Sequence, residues 1–95
     1  MNVEFLGYQC KVLKEWYKDN NRPALRLVDV VTGEPIAVAT INVPELKLGP
    51  DEVVIKDYSE NRGLLTVLVK AGIVQPTGQL VATGYELSQV CKLIA

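Results

Sequence analysis

Residues 53–74, VVIKDYSENRGLLTVLVKAGIV, constrain this chain more than any other stretch. They read as a short apolar run, a turn, a bounded helical stripe and the start of a second apolar run. The helix is argued from its ends. Ser59 is placed as the N-cap, its hydroxyl able to accept an orphan amide proton of the first turn, and Glu60 follows where the helix dipole favours a carboxylate. Leu64, Leu65, Val67, Leu68 and Ala71 then share one face, with Arg62, Thr66 and Lys70 on the other. Gly72 stands just past the last turn as a left-handed terminator, with Ile73 set to pack back onto Leu68. The predicted helix covers about residues 60–71. Gly63 fits it poorly, because glycine in a helix interior costs roughly 1 kcal/mol against alanine. Its simpler reading is a tolerated weak spot near a frayed end; the sharper one is close approach by another backbone, from this chain or a partner.

The rest of the chain alternates like strands. Residues 3–6 open it, Gly7 marks a turn, and residues 8–17 place Cys10, Val12 and Trp16 on one side, interrupted by Lys14. Gln9, Lys11 and Glu15 lie on the other side. KDNNRP, residues 18–23, is a turn-rich loop. Residues 24–31 and 36–42 flank Thr32-Gly33-Glu34-Pro35 as a hairpin, and the small Ala37 and Ala39 leave room for the Leu64/Leu68 face. Pro44 and Pro50 make residues 43–50 a loop or a short edge. After the helix, residues 73–75 form a brief strand ended by Pro76-Thr77-Gly78, and residues 79–84 make a second short excursion. Residues 85–94 close the chain as a strand with Tyr85, Leu87, Cys91 and Leu93 on one face. The expected architecture is α+β: a small, mostly antiparallel sheet of about six strands with one helix packed across it. It forms a single globular domain over residues 1–95.

Formal net charge is -1, from 10 basic and 11 acidic residues, which argues against nucleic acid and equally against a DNA mimic. Residues 1–8 carry neither a basic start nor a long apolar run, and no apolar stretch nears the roughly 20 residues of a bilayer span. The expectation is a cytoplasmic protein with no membrane association. Cys10 and Cys91 are expected as buried thiols on neighbouring strands rather than as a disulfide. The sequence has no histidine and no paired cysteine spacing, so no metal-site signature is present.

The inventory for catalysis is thin. Histidine, the commonest general base, is missing. Lys11 and Lys92 adjoin the cysteines but alternate to the opposite face from the sulfurs. The contexts of Gly33, Gly63 and Gly72 match no phosphate-binding loop. Asp51, Glu52, Asp57 and Glu60 form a locally acidic strip, from which Asp57 and Glu60 suggest a paired-carboxylate hydrolase. The simpler account is that Glu60 complements the helix dipole while Asp57 caps the strand-to-helix turn. No catalytic, cofactor-binding or metal residues are predicted, and the chain is expected not to be an enzyme. The knuckle KDYSENR, residues 56–62, offers instead a candidate partner-binding set of Tyr58, Glu60, Asn61 and Arg62, since Tyr and Arg are favoured anchors. Solvated turn residues are the plainer account of the same segment. Lys11, Lys14, Lys18, Arg22 and Arg26 gather early in the chain, but Glu4, Glu15, Asp19 and Asp29 interleave with them.

The segments IKDYSENRGLL, AGIVQPTG, GYELSQVCKL and GEPIAVATINVP, in consistent order, resemble a family of small uncharacterised proteins carried by phages, plasmids and conjugative elements of gut-type bacteria. The resemblance covers nearly the whole chain, and none of these segments is a catalytic signature. It implies a bacterial cytosol and a mobile-element setting, with no active-site residues to transfer and no named partner. The function expected is therefore a non-enzymatic interaction protein that modulates a host or element-encoded protein. A homodimer that pairs exposed sheet edges fits the same facts. The alternative is a nucleic-acid-binding accessory protein of a mobile element.

Overall fold

The computed structural model describes residues 1–94. β1 (Asn2–Phe5) and β2 (Tyr8–Trp16) form the first hairpin. Leu6 and Gly7 connect them at φ 55° and 80°, the pair of left-handed residues that a tight hairpin connection requires. β3 (Pro23–Asp29) pairs with β2 and β4 (Pro35–Val38) with β3, giving a four-stranded antiparallel sheet in the order β1-β2-β3-β4. The chain then changes sheets at Ala39. The Ala39 N–H donates to the Leu25 carbonyl of β3 at 2.9 Å, while its own carbonyl accepts from the Lys56 N–H at 2.8 Å. β5 (Thr40–Ile41), β6 (Glu52–Ile55), β7 (Val74–Thr83) and β8 (Glu86–Leu93) build a second four-stranded sheet, ordered β5-β6-β8-β7.

The chain is α+β, but with eight strands in two sheets rather than about six in one. The strand boundaries depart from expectation at two places. The expected strand over residues 36–42 divides into β4 and β5 at Ala39. Pro76-Thr77-Gly78 does not end a strand; it lies inside β7, where the register against β8 slips between Pro76 and Leu80. β7 is an outer strand, so the missing amide proton of Pro76 costs no ladder bond on its open side.

The helix α1 (Leu64–Lys70) is shorter than the expected 60–71. It does not lie across one sheet. It packs against β1 and β7, outer strands of the two different sheets, and so closes the side on which they part. Four of the five expected stripe residues face the core: Leu64 and Leu68 are fully buried, with Leu65 and Val67 packed against the same core, whereas Ala71, expected on the same face, is the exposed C-cap. Ala39 belongs to that core beside Leu64 and Leu68, together with Phe5, Val12, Leu27 and Ile55. At the far end, Gly72 at φ 72° completes the predicted termination. Its N–H bonds the Val69 carbonyl and the Ile73 N–H bonds the Leu68 carbonyl, both at 3.0 Å.

Several strand residues expected inside are outside. Trp16 is 57% exposed, with the Lys14 ammonium 5.6 Å from its ring centroid, because β2 runs on past the core that takes Cys10 and Val12. Tyr85 and Leu87 are exposed while Cys91 and Leu93 are buried. β6 reaches only as far as Gln89 along β8, so the tip of the β7–β8 hairpin projects beyond it. Cys10 and Cys91 are free and buried, as expected, but they stand on strands of different sheets rather than on neighbours.

Burial pushes the Cys91 thiol up to about 11 from an ordinary 9.0, with a smaller contribution from the Asp57 carboxylate. The folded chain thus keeps this proton to higher pH than the unfolded chain. Its contribution to stability is complete below the unfolded value and is lost as pH rises towards the folded one. Urea unfolding followed from about pH 8 to about pH 11 should show falling stability. Cys91→Ala, less stable throughout, should show a shallower fall over that window.

Candidate functional site

The candidate site is the knuckle that joins β6 to α1. The chain leaves β6 at Ile55 and must turn onto the open side of the two sheets. Asp57 anchors the turn: its Oδ1 accepts the Leu65 N–H at 2.9 Å, capping the first turn of α1 from outside the helix. This matches the simpler reading of that carboxylate. Ser59 is not the helix N-cap. It opens a separate 3-10 turn, Ser59–Asn61, at φ 55°, and its hydroxyl makes no capping bond. The N-cap is Gly63, at φ 91°. A Cβ built on Gly63 would meet nothing within 4 Å, so no other backbone of this chain approaches it closely. It provides the left-handed angle at which the 3-10 turn breaks and α1 starts.

Tyr58 is half-buried, and the Lys56 ammonium lies 5.4 Å from its ring centroid. The same ammonium donates to Glu60 Oε1 at 2.5 Å. That hydrogen bond holds the Glu60 carboxyl below its usual range and raises Lys56 above its own. Asn61 departs from the expectation of a contact residue on the surface: it is 1% exposed. Its Nδ2 donates to the Val38 carbonyl of β4 at 2.7 Å, which locks the knuckle to the first sheet. Arg62 is exposed.

Between the knuckle and β4 lies a groove of about 630 Å³, lined by Ile36, Val38, Ile41, Tyr58, Glu60 and Asn61 among others. A second groove of about 420 Å³ shares Tyr58 and Ile41 with the first and runs to Val43 and Glu45 on one side and Ala82–Gly84 on the other. Tyr58 therefore stands between two depressions. The structure brings Tyr58, Glu60 and Asn61 to one groove and leaves Arg62 outside its lining. Sequence reasoning missed the apolar walls Ile36, Val38 and Ile41. They are alternating strand residues like any others until the break at Ala39 is known.

The other chemistry considered from sequence is largely committed to structure. Asp57 is occupied by the helix and Glu60 by Lys56. Burial raises both thiols above their ordinary value. In the early basic cluster, Arg26 makes a two-point contact with Glu15 at 3.0 and 2.8 Å. Arg22 donates to the carbonyls of Val43, at 2.6 Å, and Leu46, fastening that loop. Among the described residues, no three Cys, Asp or Glu side chains are grouped to hold a metal ion, and no helix is long and apolar enough to cross a membrane. The chain matches no family model, no curated protein and no solved structure.

The placement of the cap is testable by equilibrium unfolding in urea. Asp57→Ala should cost about 1 kcal/mol, the usual loss for a helix cap. Gly63→Ala should cost about 1 kcal/mol or more through its left-handed backbone. Ser59→Ala should stay within about 0.5 kcal/mol of wild type. Equal losses for Ser59 and Asp57 would return the cap to Ser59.

Proposed function

We propose that this chain is a non-enzymatic interaction domain that holds a segment of another protein against Tyr58. The observation that carries the reading is the position of that ring: half-buried between two grooves, with apolar walls from Ile36, Val38 and Ile41 and the Lys56–Glu60 ion pair at the rim. An aromatic anchor among apolar walls, rimmed by polar groups, is the arrangement that concentrates binding energy at protein interfaces. The ring is braced by Lys56, so little side-chain freedom is left to lose on binding. The internal commitments of Asp57, Glu60 and the thiols favour binding over catalysis. The nucleic-acid reading has less to stand on, with Arg22 and Arg26 held by internal partners. The mobile-element setting rests on the resemblance of the knuckle and its flanking segments, and makes a host or element-encoded protein the partner of choice.

The test is capture from bacterial lysate by wild type, Tyr58→Ala and Arg62→Ala, each first confirmed as folded. Wild type should retain a specific protein. Tyr58→Ala should weaken that complex by about tenfold or more, as expected for a central aromatic anchor. Arg62→Ala reports whether the contact extends beyond the groove. A partner bound equally by Tyr58→Ala would move the interface elsewhere, and absence of any specific partner across several lysates would remove the reading.

A further inference from the structure

β4 is an outer strand of the first sheet, paired with β3 along one side. The Ala39 N–H points to Leu25 of β3, so by alternation the backbone groups of Val38 point away from β3, to the open side. The Val38 side chain is 52% exposed, and PIAV, the sequence of β4, carries no charge. An apolar outer strand with free backbone groups is a template for pairing with another chain. The remaining outer strands are less inviting. β1 carries Glu4, β5 has two residues, and the register of β7 slips at Pro76. In β4, Pro35 removes a donor at the start of the strand, and the far end is covered from outside it.

The cover is Asn61. Its side-chain amide is chemically a peptide group, and it donates to the outward carbonyl of Val38 at 2.7 Å. An added strand would place its own N–H there. Asn61 is 1% exposed, and the knuckle that carries it is fixed by the Asp57–Leu65 bond and the Lys56–Glu60 pair. We infer that Asn61 is an edge guard: it occupies the pairing position on β4 and keeps copies of this chain from joining edge to edge. The inference stands apart from the groove reading, since it concerns self-association through β4 and needs no partner protein.

The test is sedimentation velocity across a concentration series, for wild type, Asn61→Ala and Asn61→Ser, with and without Val38→Lys. Serine is too short to reach the Val38 carbonyl, and lysine places a charge on an already exposed edge position. Asn61→Ala and Asn61→Ser should lower the concentration at which half the chains are associated by about tenfold or more. Val38→Lys should reverse that change. Folded Asn61 variants that associate no more than wild type would overturn the guard, as would an association that Val38→Lys leaves intact. If neither Asn61 variant folds, amide exchange on wild type decides the matter. The outward Val38 N–H should exchange rapidly at every concentration, whereas its protection would mean that β4 is already covered by another strand.

Discussion

The two-sheet architecture depends on a single bend. At Ala39 the backbone gives its N–H to β3 and its carbonyl to the residue that follows β6, so one stretch of chain is shared by both sheets. The next residue reinforces the corner. Thr40 Oγ1 accepts the Leu25 N–H at 3.2 Å and shares a hydrogen bond with the Tyr17 hydroxyl at 2.9 Å. Further ties follow, from Asn20 to Asn42 and from Arg22 to the carbonyls of the loop beyond. A corner stitched in this way fixes the angle between the sheets. It also leaves them parted on the opposite side, where a cover is required for the apolar residues between them. Ala39 is itself fully buried, so a larger side chain there would push the sheets apart.

The cover is α1, and at seven residues it is too short to persist alone. It exists because its ends are satisfied from outside and its stripe is buried. Asp57 holds the first turn, the Gly72 terminator closes the last, and Leu64 and Leu68 enter the core. The knuckle and the helix are thus one unit. Tyr58, Glu60 and Asn61, which form one side of the groove, belong to the same unit as the helix that seals the core, which ties the candidate site to the stability of the whole fold.

Much of this was legible where a local rule decides the outcome. Gly7 and Thr32-Gly33 mark real turns, the leucine stripe marks the helix, and Gly72 marks its end. The partition into two sheets was not, because the alternation of IAVATIN is the same whichever neighbour each half pairs with. Alternation also fails to show where a core stops, which is why Trp16 and Leu87 stand in solvent near the ends of strands that bury Cys10 and Cys91, and Tyr85 in the turn before β8. Pro76 read as a stop because its effect depends on strand position, and an outer strand tolerates it. At the site, residue type pointed to Tyr58 and Glu60. The walls from β4 and β5 and the burial of Asn61 depend on contacts made across the fold, with Val38 lying 23 residues from Asn61.

Asn61 also explains why the groove has a definite shape. Burying a carboxamide is costly unless it is hydrogen-bonded, and an apolar side chain of similar size would fill the same space without that cost. An apolar residue would, however, leave the Val38 carbonyl without a donor and the knuckle without a link to β4. With asparagine, the strand that forms one wall and the turn that carries Tyr58 are joined by a single 2.7 Å bond, and the distance between them is set before anything binds. A groove whose walls are already fixed loses less conformational freedom when it is filled. The same bond that withdraws β4 from strand pairing thus preorganises the surface beside it. On the reading proposed above, side-chain recognition at Tyr58, rather than backbone addition to the sheet, is then the mode of contact for this face.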